Sequence, residues 1–155
     1  MIYTTLLTLH NLNRWLVLVA AIWALAHAWR GLLTRSTWSK RDDLPGRAFT
    51  GILKLQFVLG VCLYLASSIT KPVFGNLAYM FSGDVVRFFT LEHPLQMFIA
   101  VGIADAGYTL SRRATADRSR FRRAAIGYTL AILLILAAIP WPSLPHGRPL
   151  LPGGF

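Results

Sequence analysis

Four apolar runs in the sequence are each long enough to cross a bilayer as a helix, which takes about 20 residues. They fall at about 4–29, 48–69, 91–111 and 124–141. The pattern predicts an all-α, integral membrane four-helix bundle over residues 1–142. Residues 143–155 form a separate tail, because PWPSLPHGRPLLPGGF cannot continue a helix. Such a segment suits a surface strap or a docking element. The connection between the second and third runs, TKPVFGNLAYMFSGDVVRFFT, has few charges and several aromatics. Amphipathic rings of this kind are favoured at a membrane interface. Its latter half, Asp84 to Phe89, is expected to form a short helix leading into the third span. The first run has no basic flank and no clear cleavage site, which predicts a retained helix and not a signal peptide.

Composition points the same way. The chain is 55% hydrophobic and only 14% charged, against about a quarter charged for an ordinary soluble domain. That is too little charge to coat a water-exposed globule. The net charge of +10 raises nucleic acid as a partner, and its distribution argues against one. Eleven of the sixteen Lys and Arg residues sit in two short segments, 30–47 and 112–123. Both join apolar runs, as cytoplasmic loops do under the positive-inside rule. The expected topology therefore puts both termini and the 70–90 connection on the periplasmic side of a bacterial inner membrane. Anionic lipid headgroups would meet the basic loops. The single cysteine, Cys62, makes no internal disulfide, and no CxxCH is present for covalent haem attachment.

Ionisable groups inside a membrane are costly, so each is a candidate functional residue. An outer layer holds His10, Asn11, Asn13 and Arg14 in the first span with Glu92, His93 and Gln96 in the third. The two spans run in the same direction, so His10 and His93 share a depth. Two histidines on different helices at one depth are what bis-imidazole ligation of a b-type haem requires. Arg14 lies one turn below His10 on the same face and could pair with a haem propionate or with Glu92. Arg87, nearer the surface, could hold a propionate as well. The competing reading is a structural knot, with Glu92 on Arg14 and the histidines satisfied by backbone carbonyls or by each other. An inner layer holds His27, Lys54, Gln56 and Asp105. Matching depths predict a structural Lys54–Asp105 ion pair. His27 is about 25 Å along the helix from His10 and is expected to be interfacial. His146 is expected in solvent. No Gly-rich phosphate loop, HExxH motif or nucleophile elbow is present, so a stand-alone soluble enzyme is not indicated.

The series LHNLNRWLVL, QFVLGVCLYL, RFFTLEHP, SRRATAD and AIPWP resembles a family of small four-span bacterial membrane proteins labelled cytochrome b or cytochrome b-like. The resemblance covers about residues 5–142. It implies equivalent roles for His10, Arg14, Gln56, Glu92 and His93, and a haem-binding electron carrier with quinone as a candidate redox partner. Together with the residues it sets the expectation of one haem b, ligated by His10 and His93 near the periplasmic side. Arg14 and Arg87 would hold the propionates, and Glu92 would orient a ligand or balance charge. A carrier this small is expected to act as a subunit of a larger redox complex. The alternative is a cofactor-free accessory subunit of a respiratory or photosynthetic complex. A proton path through Asp105 and His10 ranks last, for want of a continuous polar chain.

Overall fold

The computed structural model describes residues 2–150. Met1 and residues 151–155, the end of the expected tail, lie outside the described residues. The described residues contain helices and turns and no strand. Four long helices dominate: α1 (Ile2–Leu33), α2 (Asp43–Ala66), α4 (His93–Arg113) and α5 (Asp117–Ala138). The short α3 (Asp84–Arg87) precedes α4. They form a ring in which α1 packs on α2 and α5, and α4 on α5 and α2. Helices α1, α5 and the segment Lys40–Ala66 are long and apolar enough to cross a membrane. Helix α4, which carries Gln96, Asp105, Arg112 and Arg113, is not among those three.

The faces turned away from the bundle are apolar. On α1, Leu16, Val19 and Ile22 are all more than half exposed. The seams between helices are built from small residues instead. Ala20, Ala21, Ala24 and Ala28 of α1 and Ala124, Ala125 and Ala131 of α5 are buried. A Cβ on Gly127 would stand 2.6 Å from the Cα of Gly107, so only a pair of glycines permits the closest approach of α4 to α5. Small seams and large apolar outer faces are the arrangement of helices packing in lipid, where backbone proximity substitutes for a hydrophobic driving force.

The helix ends depart from the predicted spans for identifiable reasons. Helix α2 stops at Ala66 and not at 69, because Ser67 and Thr70 capture the backbone. Ser67 Oγ accepts from the Ile69 N–H at 3.1 Å, and the Thr70 hydroxyl donates to the carbonyls of Ser67 and Tyr64. Helix α5 begins seven residues earlier than the apolar run, at Asp117, which suits the positive N-terminal end of the dipole. It ends at Ala138, since the residue before Pro140 is pushed to extended backbone. The expected 84–89 helix merges into α4. Asp84–Arg87 is α-helical, Phe88–Glu92 forms one π turn, and α4 continues from it without a break.

Connectivity decides which helix ends meet. Short links make α1 antiparallel to α2 and α4 antiparallel to α5. The starts of α1 and α4 therefore share one end with the finishes of α2 and α5. This is the histidine end. The opposite, basic end carries the two Lys/Arg-rich segments.

Candidate functional site

A cavity of about 790 Å³ opens at the histidine end, between all four long helices and under the tail. Its size is that of a pocket for a small molecule or cofactor. His10, Arg14, His93 and Arg148 line it, among mostly apolar neighbours. The His10 and His93 rings meet there with centroids 6.4 Å apart and planes at 68°.

Backbone groups freed by proline hold His93. The Ala138 carbonyl would bond to the amide of residue 142 if the helix continued, but residue 142 is proline and has no N–H. His93 Nδ1 lies 2.8 Å from that carbonyl. A carbonyl only accepts, so Nδ1 carries the proton and Nε2 is the nitrogen with a free lone pair. Pro94 acts likewise on its own helix. It cannot donate to Thr90, whose carbonyl accepts from the Tyr64 hydroxyl at 3.1 Å. The π turn just before His93, a feature frequent at functional sites, has a legible cause in that proline, which the sequence pattern marks only as a first-turn residue.

His10 is held through its backbone. Gln56 donates from Nε2 to the His10 carbonyl at 3.0 Å, and Asn13 donates to Gln56 Oε1 at 2.8 Å. All of Gln56 is buried. This corrects the assignment of Gln56 to the inner layer: it belongs to the histidine site, one turn from Gly60. The His10 ring rests over Gly60, where a Cβ would stand 3.3 Å from His10 Cε1. His10 Nδ1 is buried with no hydrogen-bond partner among the described residues.

The Arg14–Glu92 contact of the competing knot is not made. Arg14, only 7% exposed, donates to the carbonyl of Leu150 in the tail, which also accepts from Trp15 Nε1 at 3.2 Å. Glu92 is drawn outward instead, bonding Arg87 Nε at 2.7 Å, and Asp84 adds a contact to Arg87 at 3.2 Å. The hydrogen bond that Arg87 donates to the Glu92 carboxylate raises the Arg87 pKa above its ordinary value. Arg87 is thus neutralised by its neighbours, and Glu92 is not what orients His93. Nor is His146 free in solvent: its ring stacks on Phe88 at 3.6 Å. Sequence reasoning missed Arg148, which lines the cavity and lies over the Phe89 ring at 5.0 Å.

Away from this site, Lys54 Nζ and Asp105 Oδ1 are 2.5 Å apart, each side chain about half exposed. His27 Nε2 meets Asp42 Oδ1 at 2.7 Å, which ties the basic end of α1 to the start of α2.

The residues at the histidine end can be tested against a haem iron. With metal–nitrogen bonds of about 2 Å on either side of one ion, the imidazole centroids stand roughly 6 Å apart, which the observed pair matches. One ring has its second nitrogen tied to a carbonyl, as ligating histidines do. The other has a buried nitrogen with no protein partner. The cavity is apolar and carries cations suited to propionates. These residues fit the group. No cluster of three or more His, Cys, Asp or Glu occurs among the described residues, whereas a protein-only zinc site takes three or four such ligands. Comparison of the chain with protein-family models, with curated proteins and with solved structures returns no match in any of the three.

Proposed function

We propose that the protein is a four-span b-type cytochrome-like electron carrier of the bacterial inner membrane, with both termini on the periplasmic side. In this reading α4 is the fourth span. Its 21 residues reach about 32 Å at 1.5 Å per residue, and its Asp105 is offset by Lys54. The basic loops give the orientation by the positive-inside rule. One haem b sits at the histidine end between His10 and His93. One-electron exchange is the chemistry a haem iron supplies in such a site. His93 would bind through Nε2, with its plane set by the Ala138 carbonyl, and His10 would bind from α1. The apolar walls would limit water at such an iron, and a quinol is the donor or acceptor class that the bilayer supplies.

The single observation that carries the reading is the His10–His93 pair, ring centroids 6.4 Å apart, at the wall of a cavity large enough for a cofactor. The optical spectrum of the purified, dithionite-reduced protein tests it. A b-type α-band is expected, and its absence would falsify the haem assignment. His93→Ala should remove the band while the protein still inserts.

The cofactor-free accessory-subunit reading has its own support in the half-exposed Lys54–Asp105 pair. Charges facing lipid are costly, so a partner subunit covering that face suits both readings. A carrier acting inside a larger redox complex satisfies the two observations together.

A further inference from the structure

We propose that the tail supplies the second cation of an anion clamp, in which Arg148 and Arg14 hold the carboxylates of an apolar ligand in the histidine cavity. The identity of that ligand as haem, and of the carboxylates as its propionates, rests on the proposed electron-carrier function. The clamp itself rests on charge.

Both arginines are among the residues that line the cavity, and neither meets an acidic side chain. Arg14 touches the Leu150 carbonyl and the face of Trp15. Arg148 touches the face of Phe89. The chain has only six acidic residues, and each is placed elsewhere. Asp84 and Glu92 are on Arg87, and Asp105 is on Lys54. Asp42 is on His27, Asp43 faces Arg112 at 3.6 Å, and Asp117 opens α5 at the basic end. Arg14, buried at the wall of an apolar chamber with no acidic side chain among the described residues beside it, calls for an anion, and Arg148, exposed at the rim of the same chamber, is placed to share it. Arginine suits a carboxylate because its planar fork can donate two parallel hydrogen bonds.

The tail is built to place Arg148. Its amide donates to the Pro140 carbonyl at 3.0 Å, and the Gly147 amide donates to Leu144 at 2.8 Å. A Cβ at Gly147 would stand 2.5 Å from the Trp141 carbonyl oxygen, so the turn just before Arg148 accepts only glycine. His146, stacked on Phe88, pins the same turn to the π segment that precedes His93.

The test titrates purified, haem-depleted protein with haem b and with its dimethyl ester, which keeps the iron and removes both anions. Arg148→Gln should weaken haem b about tenfold, the worth of one charge-assisted hydrogen bond, and leave the ester unchanged. Arg148→Lys, which keeps the charge and loses the fork, should fall between wild type and Arg148→Gln for haem b and leave the ester unchanged, and Arg87→Gln should have no effect on either ligand. Equal loss of both ligands, or no loss of either, overturns the clamp. Should the wild type bind neither, the haem reading fails by itself. The clamp is then probed with a long-chain fatty acid and its methyl ester, followed by Trp15 fluorescence. Binding of the acid that needs Arg148, with none of the ester, supports it. Binding indifferent to the carboxylate or to Arg148 overturns it.

Discussion

His93 donates its Nδ1 proton to the carbonyl of Ala138 across 2.8 Å, so the last residue of α5 orients a side chain at the start of α4. The contact gives His93 two separable roles, one structural through Nδ1 and one toward a ligand through Nε2. His93→Gln keeps an amide donor for the carbonyl, whereas His93→Ala leaves that carbonyl unpaired. Orphaning a buried acceptor costs about 1–3 kcal/mol. Thermal unfolding in detergent should therefore show His93→Ala clearly destabilised and His93→Gln nearer wild type. Both should lack the haem band. Haem retained by His93→Gln would remove His93 as the ligand.

Gly60 controls the opposite ring. A Cβ there would stand 3.3 Å from His10 Cε1, which is tight but short of a collision. Gly60→Ala should shift the ring and weaken haem by roughly 1–3 kcal/mol, the usual cost of overpacking. Gly60→Leu should close that side of the cavity. A Soret band and haem affinity unchanged in Gly60→Ala would show that His10 is not held against α2.

Much of the helical frame was legible because apolar faces turned outward leave long apolar runs. The histidine pair was legible because two parallel spans place their starts at one depth. One side-chain pair, Lys54–Asp105, was legible from matched depths and stands at 2.5 Å; the partners of Arg14, Glu92 and Gln56 were not. Arg14 and Glu92 share a depth, which leaves a contact between them open, but depth carries no information about direction around a helix. The path of the tail, which delivers Leu150 to Arg14 and Arg148 to the cavity, is a tertiary fact with no local periodicity. Gln56 was misplaced by grouping it with its neighbour Lys54. Two residues along a helix turn a side chain by about 200°, so Gln56 faces α1 while Lys54 faces outward. The freed carbonyls were readable in principle. Pro94 and Pro142 each stand four residues after the carbonyl they release, and those carbonyls take Tyr64 and His93.

The Asn13–Gln56 pair makes a separate test of the frame. Asn13 donates to Gln56 at 2.8 Å, and Gln56 to the His10 carbonyl at 3.0 Å, with both side chains buried. Gln56→Leu leaves the Asn13 amide with only the Ile52 carbonyl at 3.3 Å and removes the side-chain donor to the His10 carbonyl, which lies inside α1, at about 1 kcal/mol. Replacing both residues with leucine removes the Asn13 amide along with its acceptor. The double variant should therefore cost less than the sum of the two single variants in a thermal-unfolding cycle. Strict additivity would show that the contact carries no coupling.

Lys54 and Asp105 pose the opposite problem, since each is about half exposed on an otherwise apolar face. In water such a pair would count for little. Beside lipid, an unpaired charge has no solvent to return to, so the loss of one partner should matter more in a bilayer than in a detergent micelle. Lys54→Ala and Asp105→Ala should each lower the melting temperature in lipid nanodiscs. The exchanged Lys54→Asp, Asp105→Lys variant should recover most of that loss. If a partner subunit covers this face in the native membrane, the single variants should also release that partner on mild solubilisation, and the exchanged variant should retain it less well than wild type. No recovery in the exchanged variant would mean that the two groups are held by separate surroundings and not by each other.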